Sequence, residues 1–197
     1  MIAVLFAECN GIYSTLEDLE VWCKNKNALN YTGNYAVLAH PPCQLWGRFA
    51  KINYKRWGGE HNKPGNDGGH FKFALDAVNR CGGVLEHPAY SNAWKEYGLT
   101  RPVFGEWIKN TPIGWVTEVW QSAYGHKARK KTWLYYNGKF DPLPMNWIKK
   151  EATHQIGFHD QRGKEKNKPT VSGKAASATP VLFARELIKL ALWSKMK

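Results

Sequence analysis

Apolar residues fall in short, nearly continuous runs separated by polar, glycine-rich stretches, which is the pattern of buried strands alternating with helices. Ile2–Phe6 predicts a first strand, followed by a turn at Cys9-Asn10-Gly11 and a short helix through Leu16–Leu19. Residues 35–39, Tyr-Ala-Val-Leu-Ala, predict a second strand that two prolines end, since proline donates no ladder bond and restricts the residue before it. The Gly-, Asn- and Pro-rich residues 57–70 predict a mobile loop, taken with its approach as 48–70. Phe71–Arg80 predicts a helix, and Cys81-Gly-Gly leads into a third strand that ends at Glu86.

Further on, Trp115–Ser122 and Thr132–Tyr136 predict two strands flanking a basic turn, and residues 140–178 predict a basic loop region. Thr179 and Pro180 suit the cap and first position of a last helix, with Val181, Phe183, Ala184, Leu187, Ile188, Ala191 and Leu192 as its buried stripe. No repeat or domain boundary interrupts the series. The expected architecture is one domain over residues 1–197, an α/β fold with a mostly parallel sheet flanked by helices.

Composition narrows the partners. A net charge of +12 points to a polyanion. The charge is clustered in Lys127, Arg129, Lys130 and Lys131, in Arg162, Lys164, Lys166 and Lys168, and in Lys51, Lys55 and Arg56. Ten tryptophans and nine tyrosines supply stacking surfaces, so nucleic acid is the expected partner. No run of 18 apolar residues exists, so no membrane helix is expected. Cys9, Cys23, Cys43 and Cys81 stand far apart without a CxxC pair. That spacing gives neither a compact disulfide framework nor a zinc ribbon, and a reducing cytoplasm is the expected compartment.

Cys43 and Glu86 both stand at strand ends. Adjacent parallel strands would bring a nucleophilic thiol and a proton-handling carboxyl to one sheet edge, where open α/β sheets bind ligands. Each alone has a plain reading, a buried inert cysteine and a surface carboxylate; their shared location favours chemistry. Arg48, Lys51 and the 127–131 cluster are expected to supply positive charge, to phosphates and to lower the thiol's pKa.

At these residues the chain resembles the C5-cytosine DNA methyltransferases. Pro42-Cys43-Gln44 matches the motif that carries the nucleophile attacking C6 of a flipped pyrimidine, and Glu86 matches the glutamate that contacts the ring N3 edge. Tyr124-Gly125 begins a segment like the family's arginine-bearing one, with Lys130 near its first arginine. Phe6, Ala7 and Gly11 match the cofactor motif, and residues 177–188 resemble the returning last helix. The resemblance spans nearly the whole chain in the family's order.

It implies a Rossmann-like, truncated methyltransferase-type sheet. Catalytic roles would fall to Cys43, Glu86, Gln44 and Lys130, and S-adenosylmethionine contacts to Phe6, Ala7, Gly11 and Pro42. DNA contacts would come from Arg48, Lys51, Lys127, Arg129 and Lys131, without a metal. Glu8 and Asn10 stand where the cofactor motif has glycines; side chains there take the room of a close backbone approach, so weak or undetectable S-adenosylmethionine binding is expected. Two other readings compete. One is a non-catalytic methyltransferase-like factor that binds DNA or protein, as an anti-restriction or regulatory factor would. The other is a metal-dependent nuclease or deaminase using His40, His61, His70 or His87, which lacks the zinc-deaminase pattern.

Overall fold

The computed structural model describes residues 1–47, 49–156 and 168–196. Seven strands, β1 (Ile2–Ala7), β2 (Leu19–Cys23), β3 (Ala36–Ala39), β4 (Gly83–Pro88), β5 (Ile108–Lys109), β6 (Trp115–Trp120) and β7 (Lys131–Asn137), form one sheet. Its order is β2-β1-β3-β4-β7-β6-β5. A separate parallel pair joins β8 (Gln155–Ile156) to β9 (Thr170–Val171). The helices are α1 (Ala50–Trp57), α2 (His70–Cys81), α3 (Asn92–Glu96), α4 (Gly173–Ser177) and α5 (Val181–Trp193).

The runs IAVL in β1 and AVLA in β3 are buried throughout, because helices cover both faces of the central strands. On one face α2 packs Phe71, Ala74, Ala77, Val78 and Cys81 against Val37, Leu85 and Tyr135. On the other, α5 packs Phe183, Ala184, Leu187, Leu190 and Ala191 against Ile2, Val4, Leu38 and Val84. The sheet is mixed rather than mostly parallel: β1 pairs parallel with β2 and β3, and β3 with β4, whereas β4–β7, β6–β7 and β5–β6 are antiparallel. Strand order reverses around β1 and β3, which opens a crevice beyond their carboxyl ends. Gly83 makes the β3–β4 pairing possible: at φ +133° a Cβ there would stand 1.9 Å from the Val37 carbonyl oxygen.

Several local expectations change. Residues 16–19 do not form a helix; a 3₁₀ turn at Ile12–Thr15 leads into strand β2. The stretch expected to be a loop over 48–70 holds α1 and a 3₁₀ turn at Glu60–Asn62. Within the basic region 140–178 lie β8, β9 and α4, while Arg162, Lys164 and Lys166 fall outside the described residues. Pro180 occupies the N-cap of α5 and no side chain caps it. Val181 and Leu192, expected in its buried stripe, are exposed, and Leu190 takes a core place. No helix among the described residues is long and apolar enough to cross a membrane.

A disulfide joins Cys9 to Cys23. The two are 14 residues apart in sequence but follow neighbouring parallel strands, which sets their Cα atoms 5.0 Å apart. Spacing alone hid this pair, and disulfides persist in oxidising compartments, so the cysteines no longer argue for a reducing one. Closing a loop of this length constrains the unfolded chain by about 3 kcal/mol. Reduction, or Cys23→Ser, is expected to lower unfolding stability by that order, read from urea midpoints with and without reductant.

Candidate active site

Cys43 reaches the crevice from the turn after β3, and Glu86 from β4 one strand over. The parallel register Ala39↔Leu85 carries both to the same edge, as expected. The turn is clamped from behind. Trp46 N–H donates to the Cys43 carbonyl at 3.0 Å, and its buried indole donates to Asp67 Oδ2 at 2.8 Å. Asp67 also accepts from the backbone of Gly69 and Phe71, both at 2.9 Å, at the start of α2. Asn92 N–H donates to the Trp46 carbonyl at 2.9 Å. Gln44 is exposed in this turn, and Lys51 is exposed on α1. Arg48 lies outside the described residues.

Glu86 is buried, and both its oxygens are engaged. His40 Nδ1 lies 2.9 Å from Oε2, and Gln121 Nε2 donates to Oε1 at 3.2 Å and to Thr132 Oγ1 at 2.9 Å. His40 Nε2 lies 2.8 Å from the Tyr13 hydroxyl. A carboxylate only accepts, so Nδ1 carries a proton toward Glu86, while Nε2 shares a hydrogen bond with the Tyr13 hydroxyl. Burial alone raises the Glu86 carboxyl, but the His40 hydrogen bond and charge, with Lys130 and His87 behind them, leave it below its ordinary value. Burial, then the charge of Glu86, holds the Tyr13 hydroxyl well above its ordinary value.

Lys130 turns inward, with its amine donating to the carbonyls of Ser177 at 2.7 Å and Ala178 at 3.0 Å. Burial pushes its pKa down against the opposing charges of Glu86, Cys43 and Glu8. The Cys43 thiol is pushed up, first by burial and then by Glu86, with its own backbone bond and Lys130 opposing. This corrects the expectation of a thiol lowered by surrounding cations: desolvation and a buried carboxylate outweigh the one lysine that reaches it. His87, behind Glu86, is lowered to about 4 by burial.

Backbone strain gathers at this edge. Among the described residues, the positive-φ positions that are neither glycine, Asp nor Asn are Phe6 (61°), Tyr90 (66°) and Lys130 (36°). They follow or end β1, β4 and the turn into β7. Such conformations cost on the order of 1–3 kcal/mol each and collect at functional sites.

The residues matched to a cofactor motif, Phe6, Ala7, Gly11 and Pro42, stand in different surroundings. Phe6 packs edge-on against His70 and Phe73, with ring centroids 5.3 and 6.5 Å away. Ala7 packs against the core on the α5 side of the sheet. A Cβ at Gly11 would stand 3.1 Å from the Glu8 Cβ, and the disulfide ties this turn to the end of β2. Pro42 is exposed.

Of the remaining basic cluster, Lys127 is exposed, while Arg129 and Lys131 are half-buried over aromatic rings. Tyr124 is buried against Phe183, with ring centroids 4.9 Å apart, and accepts from the Asn146 N–H at 2.8 Å. The histidines of the metal reading have other tasks: His61 bonds Asn62, and His70 bonds the Asp67 carbonyl. Among the described residues no group of His, Cys, Asp and Glu is arranged to hold a metal ion. A cleft of about 640 Å³, lined by Trp46, Lys51, Lys63, Lys95 and Tyr97, opens on the outer side of the Cys43 turn. It does not contain Glu86 or His40.

Tyr13, Gln121 and Asp67 are the site residues that the sequence did not single out, and His40 was named only for the metal reading. His40 carried one signal, its place at the end of the second strand directly before the two prolines. No protein-family model matches the chain, and no curated protein matches it.

Proposed function

We propose that this protein modifies a pyrimidine base in DNA through a covalent bond between Cys43 Sγ and C6 of the base. The observation that carries the reading is the shared edge: a thiol, a carboxylate held ionised by His40, and a half-buried lysine acting on one another at the crevice of a sheet whose strand order reverses there. That edge is also where the resemblance to C5-cytosine methyltransferases is most specific, at Pro42-Cys43-Gln44 and Glu86. A Rossmann-like, methyltransferase-type sheet shortened in its cofactor half accommodates both.

The chemistry follows from the charges. Cys43 rests as a thiol, so its proton passes to a base as the S–C6 bond forms; the Glu86 carboxylate, whose field reaches it, is that base, and Lys130 supplies the opposing positive charge. The C5–C6 π electrons move to C5 and the ring's N3–C4 side, which makes C5 nucleophilic. Glu86, fixed by His40 and Gln121, holds the Watson–Crick edge. C5 then takes an electrophile, its own proton passes to solvent as the S–C6 bond breaks, and the proton held by Glu86 returns to sulfur. A solvent deuteron is the simplest such electrophile.

That defines a test needing no group donor. Oligonucleotides incubated with the protein in heavy water are expected to exchange cytosine or uracil H5 for deuterium, and Cys43→Ser to abolish the exchange. 5-Fluoropyrimidine oligonucleotides, with and without S-adenosylmethionine, serve as the covalent trap. A wild-type protein that neither exchanges H5 nor forms an adduct on any of these substrates refutes the enzyme. Glu8 and Asn10, at positions where the family's cofactor motif has glycines, favour one other reading, a non-catalytic factor of the same fold that binds DNA or protein; binding without exchange would establish it.

A further inference from the structure

Beside the catalytic edge runs a band of rings and cations that the chemistry at Cys43 does not use. Tyr90 follows β4 in a strained conformation, and its side chain is 49% exposed. Trp120 ends β6, and Lys131 opens β7 between them, paired in register with Trp120 while its carbonyl accepts from Ala89 N–H at 3.0 Å. The Lys131 amine lies 5.3 Å from the Trp120 ring and 5.6 Å from the Tyr90 ring. Arg101 lies 5.9 Å from the Tyr90 ring, and Arg129 4.6 Å from that of Trp120. Lys149 sits 6.0 Å from Trp120 and 5.0 Å from Phe104. An acid beside the band, Glu118, is buried; it accepts from the indoles of Trp120 at 3.2 Å and Trp133 at 3.0 Å and lies 3.9 Å from the Lys131 amine.

Cations on rings can simply stabilise a sheet edge. This band goes further, because four cations converge on partly exposed rings around one carboxylate, which shares its oxygens between two indoles and the Lys131 amine. The face of a ring that accepts an ammonium also accepts a base, and the displaced cation then meets a phosphate. Tyr90 and Trp120 lie two strand spacings apart, about 10 Å. Stacked bases in a duplex are separated by about 3.4 Å and keep their faces to themselves, whereas an unpaired strand can splay bases onto rings this far apart. The chain alternates here as well: the Lys130 amine goes to the Ser177 and Ala178 carbonyls, with its charge felt at Cys43 and Glu86, and the next residue, Lys131, turns onto the band. A strand lying on the band therefore leads into the crevice.

We propose that the Tyr90–Trp120 band binds a single-stranded polynucleotide, with bases stacked on the two rings and phosphates on Arg101, Arg129, Lys131 and Lys149. This rests on the reading above and narrows its substrate to unpaired strands, from which a base enters the site without the few kcal/mol of unstacking that a duplex demands.

The test uses the full-length Cys43→Ser protein, so that no adduct can form, and short fluorescein-labelled oligonucleotides as single-stranded DNA, single-stranded RNA and duplex DNA. Anisotropy titrations are expected to favour the single strands, and the tighter of the two identifies the sugar. Tyr90→Ala and Trp120→Ala are each expected to weaken single-strand binding roughly 5- to 150-fold, while Trp120→Phe, which keeps a ring, retains most of it. Duplex preferred over single strands, or single-strand affinity unchanged in Tyr90→Ala and in a folded Trp120→Ala, overturns the band. The two readings fail separately: missing H5 exchange in wild type leaves these affinities standing, and a failed band leaves exchange standing.

Discussion

Replacing His40 by alanine is expected to cost about 3–5 kcal/mol of stability at neutral pH, the penalty for stranding one member of a buried ion pair, and the cost should shrink as the pH falls. Glu86 is 8% exposed, and His40 is its hydrogen-bonded partner of opposite potential charge. Without the imidazole the carboxylate keeps one amide bond, from Gln121, and the field of Lys130. In the wild type the folded carboxyl titrates below its ordinary value. The stability it contributes is therefore complete above the ordinary range, near 4.3, and is lost as the pH falls through the lower folded value. In the variant burial prevails and the folded carboxyl titrates above that range, so its penalty is complete above the raised value and relaxes below it. The two stability curves should separate toward neutrality and approach one another in acid. Urea unfolding between pH 4 and 8 measures this, and Glu86→Gln in the His40→Ala background should recover most of the loss. A loss independent of pH, unrelieved by Glu86→Gln, would assign His40 to packing.

The same pair shows what the sequence could and could not reveal. Cys43 and Glu86 were legible because each follows a short run of buried apolar residues, and strand ends in an α/β sheet face one edge. Their partners were not. His40 meets Tyr13 across 27 residues and Glu86 across 46, and Gln121 meets Glu86 across 35; such contacts depend on which strands are neighbours. The Cys9–Cys23 pair was hidden for the same reason. Leu19–Cys23 escaped as a strand because every residue in it is half-buried at a sheet edge, and Glu20 interrupts its apolar run. Helix α1 escaped because, of its eight residues, only Ala50 is buried, so no stripe marks it. The basic cluster was visible as charge, but its division was not. Lys130 serves the buried site and Lys131 the surface, a choice made by the backbone turn rather than by composition.

His87 sets the second large effect, acid sensitivity well above the carboxylate range. Its ring is 1% exposed, edge-on to Phe71 with centroids 5.1 Å apart and stacked on Trp94 at 6.2 Å. Burial holds its pKa at about 4, with Glu86 and the Pro42 carbonyl pulling weakly the other way. The unfolded chain binds a proton at His87 near pH 6.5, and the folded chain refuses it until about pH 4. The direction is fixed: this residue's contribution is complete above pH 6.5 and is lost as the pH falls toward 4. At 1.36 kcal/mol per unit the loss amounts to about 3 kcal/mol. Glu86 acts lower, below the ordinary carboxylate value, so the two steps separate along the pH axis. His87→Leu keeps the apolar volume between Phe71 and Trp94 and removes the titration. Urea midpoints taken from pH 7.5 down to 4.5 should fall steeply for the wild type and much less for this variant, with the curves closing as the pH drops. Parallel curves for the two proteins would mean that His87 does not set the acid response.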